Sequence, residues 1–257
     1  TGAVQKVRNA INALRECAVV QPEAGKVYRL VSASTYYKKK YAGSTLYEVG
    51  GNLRVHYGQQ DDAEELFSFV PSGEGYALRA VHSGNFAQLP TYDQAATMTA
   101  QPGTPLRIDA AKVPSGNYEY VPGVVVISAV EDYSASAGSN TKRLFIKSFG
   151  SNDKTNDVPN VNRVVAFDDP SLCNPGTWYI EEADFRVMLN GLLTRCNNTL
   201  ADAQPNVPGQ PSRAAVTFLN NVVTRIKAAL AKSGNVTQAT YNELVAQYEQ
   251  FLQYPRT

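Results

Sequence analysis

A short tyrosine- and lysine-rich stretch is the first candidate for chemistry in this sequence. Tyr36, Tyr37 and Tyr41 surround the three lysines Lys38–Lys40. A tyrosine ring can stack on the apolar face of a sugar, and clustered lysines attract anionic groups. The stretch could therefore contact a glycan, an acidic one in particular. The alternative is a solvated hairpin tip that needs no ligand.

Candidates for catalysis are few. His56 and His82 lie beside predicted strands without a recognisable partner for general-base catalysis. The sequence has no Gly-x-Ser-x-Gly, His-Glu-x-x-His or phosphate-binding glycine motif. Adjacent acidic residues occur in predicted turns, where carboxylates are usually solvated: Asp61-Asp62, Glu64-Glu65, Asp168-Asp169 and Glu181-Glu182. We therefore expect a protein that is not an enzyme.

A metal site is a further possibility. Asn152, Asp153, Asn156 and Asp157 carry the oxygen ligands that Ca²⁺ prefers. Their spacing lacks the glycine and the terminal glutamate of an EF-hand loop, and turn-forming Asn and Asp explain the stretch without an ion. We expect no metal and no cofactor.

Charge and hydropathy argue against a nucleic-acid-binding protein and against a membrane-spanning protein. The 24 basic and 23 acidic residues leave a net charge of +1, which gives no long-range attraction for nucleic acid. The longest apolar run, Val121–Val130, contains Pro122 and Gly123 and falls short of the roughly 18 residues that span a bilayer.

The chain starts at Thr1 without Met, which indicates a trimmed, exported protein, extracellular or on the cell surface.

Four stretches have the periodicity of helices. In residues 1–20, Val4, Val7, Ile11 and Leu14 share one face. Three more apolar stripes follow Glu182, and Ser212 and Thr237 are predicted N-caps. The first stripe has no partner within its own segment, so we expect this helix to pack on the C-terminal helices. The predicted domains are 1–21 and 183–257, which form one helical bundle, and 22–182.

The three cysteines match no zinc or redox motif. They are Cys17, Cys173 and Cys196. The simplest interpretation is buried free thiols. Because Cys17 and Cys196 each lie at or beside an apolar helical stripe, a disulfide between them in an oxidising compartment is the alternative.

Residues 27–182 consist of short β-branched and aromatic segments divided by Gly, Asn, Asp and Pro. Three groups of these segments each end in a five-residue segment of similar character, which we call the closing phrase: Glu65–Phe69, Thr104–Ile108 and Gly176–Ile180. The groups open at Tyr28, Tyr76 and Val125, which are nearly evenly spaced. The sequence therefore predicts an all-β unit of three pseudo-repeats with twelve strands.

The closing phrases resemble those of the β-trefoil family, in particular the ricin B-type domains, whose repeats end on Gln-x-Trp. The resemblance covers residues 26–182. The Trp position is occupied by Phe67, Leu106 and Trp178, and the Gln position by Glu65, Thr104 and Gly176. The resemblance implies a six-stranded barrel closed by three hairpins, with the repeat-closing residues in its core. Here the barrel would be inserted into the helical bundle, as in exported bacterial surface proteins.

The resemblance also implies a place for a sugar. Ricin-type repeats carry a sugar-binding Asp and a stacking aromatic residue after the opening strand. The third repeat has Asp132 and Tyr133 there, whereas the first and second have Ser34 and Ser83. We therefore expect a non-catalytic carbohydrate-binding module that binds a glycan or polysaccharide weakly, with these candidate contacts: Asp132, Tyr133, Tyr36 and Tyr37.

Two alternatives remain open. The three missing glutamines and the helical bundle favour a structural or protein-interaction module without a sugar site, whose partners are other domains or surface proteins. A trefoil-type protease inhibitor is the third hypothesis. None of these functions involves nucleic acid.

Overall fold

The structure is a computed structural model of the chain. It describes residues 2–17, 19, 21–33, 43–56, 63–92, 94–113, 119–131, 145–148, 164–167 and 176–257. They fall into two compact units: a strand unit that ends at Glu182 and a helical unit that contains the residues from Ala183 onward. The predicted combination of a β-sheet region with helices is confirmed.

Within the described residues, the strand unit contains twelve strands, joined by antiparallel pairings. They are β1 (Tyr28–Ser32), β2 (Thr45–Val49), β3 (Asn52–His56), β4 (Phe67–Ser72), β5 (Gly75–Ala80), β6 (Phe86–Gln88), β7 (Thr97–Thr99), β8 (Leu106–Val113), β9 (Glu119–Ala129), β10 (Phe145–Ser148), β11 (Val164–Phe167) and β12 (Thr177–Glu182). A short 3-10 helix, Ala63–Glu65, precedes β4.

Six of these strands pair around a closed ring. The order is β1, β4, β5, β8, β9 and β12, and β12 pairs again with β1. The other six form three two-stranded pairs, β2 with β3, β6 with β7 and β10 with β11. In each run of four consecutive strands, the first strand pairs with the fourth. The paired residues are Tyr28 of β1 with Phe67 of β4, Tyr76 of β5 with Leu106 of β8, and Val125 of β9 with Trp178 of β12. The opening and closing phrases of the sequence therefore lie side by side.

The closing residues lie in the centre of the core. Phe67, Leu106 and Trp178 are each 0% exposed, so their predicted role in core packing is confirmed. The indole Nε1 of Trp178 donates a hydrogen bond to the carbonyl oxygen of Ile146 at 3.0 Å. This bond satisfies the one polar atom of the largest buried side chain.

The β8–β9 hairpin is longer than the sequence predicted. The prediction gave residues 106–110 and 124–130, but pairing continues to Val113 and Glu119 across a register shift. Gly123, with a φ of +75°, lies where β9 bulges. A glycine tolerates this positive φ, and a bulge is a place where the missing N–H of Pro122 breaks no strand pairing. The strand therefore continues through a proline and a glycine, which in a sequence usually indicate a break.

Gly75 stands where two strands come too close for a side chain. A Cβ at this position would lie 2.1 Å from the backbone carbonyl oxygen of Leu106 and 2.8 Å from Cγ2 of Val130. We expect Gly75→Ala to lower the free energy of unfolding by about 3 kcal/mol, because backbone must shift to relieve the overlap. The measurement is urea unfolding. The control is Glu74→Ala at the exposed neighbouring residue, which should change the free energy of unfolding by less than about 0.5 kcal/mol. Equal destabilisation by the two substitutions would contradict the close approach of the strands at Gly75.

Helix α1 (Gly2–Cys17) is grouped with the strand unit and lies against β8 and β9. The four side chains of its predicted apolar stripe are exposed: Val4 59%, Val7 59%, Ile11 41% and Leu14 71%. The sequence predicts that these side chains pack on the C-terminal helices and that the strand unit is inserted into the bundle. Both of these expectations stay predictions.

The helical unit consists of α2 (Phe185–Asp202), α3 (Arg213–Ala231) and α4 (Gln238–Leu252). Their buried faces follow the predicted stripes, and Ser212 and Thr237 cap α3 and α4 as predicted. Asp184 caps α2 by accepting hydrogen bonds from the backbone N–H groups of Arg186 and Val187. No helix among the described residues is long and apolar enough to cross a bilayer.

Cys196 is a free, fully buried thiol on the inner face of α2. Burial raises its pKa to about 11, because the thiolate would lose its hydration. Because the Cys196 thiol is free, the alternative of a disulfide with Cys17 does not agree with the structure. The apolar stripe that suggested the bridge serves to pack Cys196 inside the helical unit.

Candidate functional site

The predicted ligand contacts lie outside the described residues. This holds for Asp132 and Tyr133, and for Tyr36 and Tyr37 in the tyrosine- and lysine-rich stretch. The strands that precede them are described: β9 ends at Ala129 and β1 ends at Ser32. The Asn- and Asp-rich stretch at 152–157 is also outside, and the described residues contain no group of three His, Cys, Asp or Glu side chains suited to a metal ion.

The residues that follow β5 are described, and they take part in a polar cluster. β5 ends at Ala80, and Ser83 follows three residues later, as Asp132 follows Ala129. The Ser83 hydroxyl donates to the Glu48 carboxylate and accepts the backbone N–H of Asn85 at 3.0 Å. The Asn85 side-chain amide donates to the second Glu48 oxygen at 3.1 Å. We call these three residues the Glu48 cluster.

The Glu48 cluster holds the β5–β6 turn against β2. Glu48 is only 7% exposed, and each of its carboxylate oxygens accepts a hydrogen bond from the turn. A buried carboxylate is tolerated when such donors replace its water. The Ser83 hydroxyl is therefore hydrogen-bonded within the protein. The sequence does not indicate this cluster, because Glu48 lies far from its partners along the chain.

A half-exposed aromatic side chain lies beside the cluster. The Arg79 guanidinium stands 5.8 Å from the centre of the Phe86 ring, and its Nε donates to the carbonyl oxygen of Gly84 at 3.2 Å. This cation–π contact and the hydrogen bond fix the other side of the β5–β6 turn. His82 is an exposed residue of the same turn.

Two of the three residues that occupy the first position of the closing phrases make hydrogen bonds through their side chains. Glu65 accepts from Nη2 of Arg29 on β1 at 3.0 Å, and the two side chains are 0% and 8% exposed. The Thr104 hydroxyl accepts the backbone N–H of Leu89 at 3.0 Å. Gly176 has no side chain to contribute. Glu65 and Thr104 thus each connect a closing phrase to an earlier segment of the strand unit by a hydrogen bond.

Glu65 corrects one expectation. The sequence placed the pair Glu64-Glu65 in a solvated turn, but Glu65 is fully buried. The physical reason is the partner on β1, since the Arg29 guanidinium offsets the cost of burying the carboxylate. The signal that could have identified it was its place at the Gln position of the closing phrase.

Comparisons with known proteins give the following. No protein-family model matches the chain, and no curated protein matches it. A ricin B-like lectin of Macrolepiota procera, solved in complex with lactose, is 15% identical over 64% of this chain and 100% of its own, with a TM-score of 0.42. A mosquitocidal holotoxin is 8% identical over 66% of this chain, with a TM-score of 0.44, and this chain spans 17% of its length.

Proposed function

We propose that the strand unit is a β-trefoil of the ricin B type and acts as a non-catalytic carbohydrate-binding module of an exported or cell-surface protein. The observation that carries the proposal is the closed ring of six strands with three two-stranded pairs. Each run of four consecutive strands has its first strand paired with its fourth, through Tyr28 and Phe67, Tyr76 and Leu106, and Val125 and Trp178. This recurrence supports three pseudo-repeats. Closing a sheet in this way removes the main strand edges and leaves the loops free for binding.

The third repeat is the proposed sugar site. Its Asp132 would accept charge-assisted hydrogen bonds from sugar hydroxyls, and the Tyr133 ring would cover an apolar sugar face. The second repeat supports this choice by contrast, because the Ser83 hydroxyl is engaged with Glu48. A single shallow site of this kind reaches a Kd of only about 0.1 to 1 mM, or roughly 4 to 5.5 kcal/mol.

We expect Asp132→Ala to weaken glycan binding at least about tenfold, since it removes a charged hydrogen-bond acceptor. A glycan array selects the sugar, and calorimetric titration of wild type and variant measures the change. The neighbouring Glu131→Ala is the matched control: it removes the same charge at an exposed residue that the proposal does not use, so its Kd should stay within about twofold of wild type. Equal affinities for wild type and Asp132→Ala would move the site to Tyr36, Tyr37 and Tyr41.

The alternative is a structural or protein-interaction module. It is favoured by the Glu48 cluster, whose polar groups hydrogen-bond to one another. Binding to no sugar on the array would make this alternative the better description. The weaker hypothesis of a protease inhibitor fails if a panel of serine and cysteine proteases stays uninhibited at micromolar protein.

A further inference from the structure

Helix α1 presents an exposed apolar face. Val4, Val7, Ile11 and Leu14, which we call the α1 stripe, follow one another at intervals of three and four residues and so lie along one side of the helix. Their exposed fractions range from 41% to 71%. Leaving four aliphatic side chains in water along one line is costly, so a face of this kind favours an apolar contact.

The charges of α1 have one sign over most of its length. Residues 2–15 include Lys6, Arg8 and Arg15 but no Asp or Glu, and Glu16 is the first acidic residue. Lys6 and Arg8 are exposed and lie on either side of Val7. Arg8 also follows Val4 by four residues and precedes Ile11 by three, which places it at the border of the stripe. The apolar face is therefore flanked by cations.

We propose that the α1 stripe binds the surface of a membrane that contains anionic phospholipids. The helix would lie in the plane of the surface, with the four aliphatic side chains among the acyl chains and the flanking cations at the lipid phosphates. A second copy of the chain is a poorer occupant, because two α1 helices packed along their stripes would bring like charges together. The proposal does not depend on sugar binding by the strand unit.

The test measures sedimentation of the full chain with phosphatidylcholine vesicles, prepared with and without phosphatidylglycerol. We expect partitioning onto the anionic vesicles to be at least about tenfold stronger, and to fall as salt is added, because the cations contribute through screened attraction. Replacing Lys6 and Arg8 together by Gln should remove most of this preference. Equal binding to the two kinds of vesicle, or to neither, would overturn the proposal.

Two double variants separate the stripe from the overall charge. Val7→Glu with Ile11→Glu places two carboxylates in the stripe, and Gln5→Glu with Asn9→Glu places them on another face of the same helix. All four positions are exposed, so the fold should be retained, as circular dichroism can verify. We expect the stripe variant to lose binding by at least about tenfold more than the control, because its carboxylates would enter the apolar layer. Equal losses would overturn a role for the stripe.

Melting of the same variants without lipid gives an independent check. An exposed stripe predicts that both double variants melt at similar temperatures. If the stripe variant melts at a clearly lower temperature than the control, protein covers the stripe. That protein would be either the C-terminal helices of the chain or a second copy, which light scattering distinguishes. Either result would overturn the lipid proposal.

Discussion

Replacing Trp178 by alanine is expected to lower the free energy of unfolding by about 3 to 5 kcal/mol. The side chain is fully buried, and its removal would leave a cavity and deprive the Ile146 carbonyl oxygen of its hydrogen bond. A domain stable by about 5–15 kcal/mol would lose a large part of that margin. Urea unfolding followed by circular dichroism measures the effect.

The neighbouring residue provides the control. Tyr179 is 38% exposed, and its side chain lies on the opposite face of β12. Tyr179→Ala should therefore cost well under half of the Trp178→Ala effect. Trp178 is also the single tryptophan of the sequence, so native fluorescence reports on it alone. An emission maximum close to that of free indole would contradict its burial.

The strand segments and the core residues could be predicted because they depend on local patterns. β2 (Thr45–Val49) ends where the Gly50-Gly51 turn begins, and two adjacent glycines are a turn signal that is readable in the sequence. Phe67, Leu106 and Trp178 were placed in the core because each occupies the same position in a recurring phrase. Such patterns reflect alternation and turn chemistry, which act within a few residues.

The polar contacts could not be predicted in the same way. Glu48 can be buried because Ser83 and Asn85 of the β5–β6 turn donate hydrogen bonds to it, and Glu65 can be buried because Arg29 does. An acidic residue looks alike in the sequence whether its partner is water or a distant side chain. Long-range pairs of this kind therefore require the structure. The same holds for α1: its amphipathic pattern indicates an apolar contact but does not identify what supplies it.

Glu65→Ala is expected to cost about 3 to 5 kcal/mol, because it leaves the Arg29 guanidinium without its buried carboxylate. Trp178 fluorescence follows the unfolding of the strand unit in this variant. Asp109→Ala is the matched control, since the Arg107–Asp109 pair in the same unit has side chains 39% and 35% exposed. Water can replace the lost partner there, so that change should cost less than about 1 kcal/mol.

A double-mutant cycle separates the pair from its surroundings. Arg29→Leu with Glu65→Leu removes both charges, so neither is left buried alone, and the double variant should be less destabilised than the sum of the two single variants by more than about 1 kcal/mol. Glu65→Gln should fall between wild type and Glu65→Ala, because its amide oxygen can still accept from Arg29 while the charge is lost. Additive effects of the two leucine substitutions would show that Arg29 and Glu65 stabilise the strand unit separately. In that case the Glu65 side chain would act by filling space, and Glu65→Gln would be as stable as wild type.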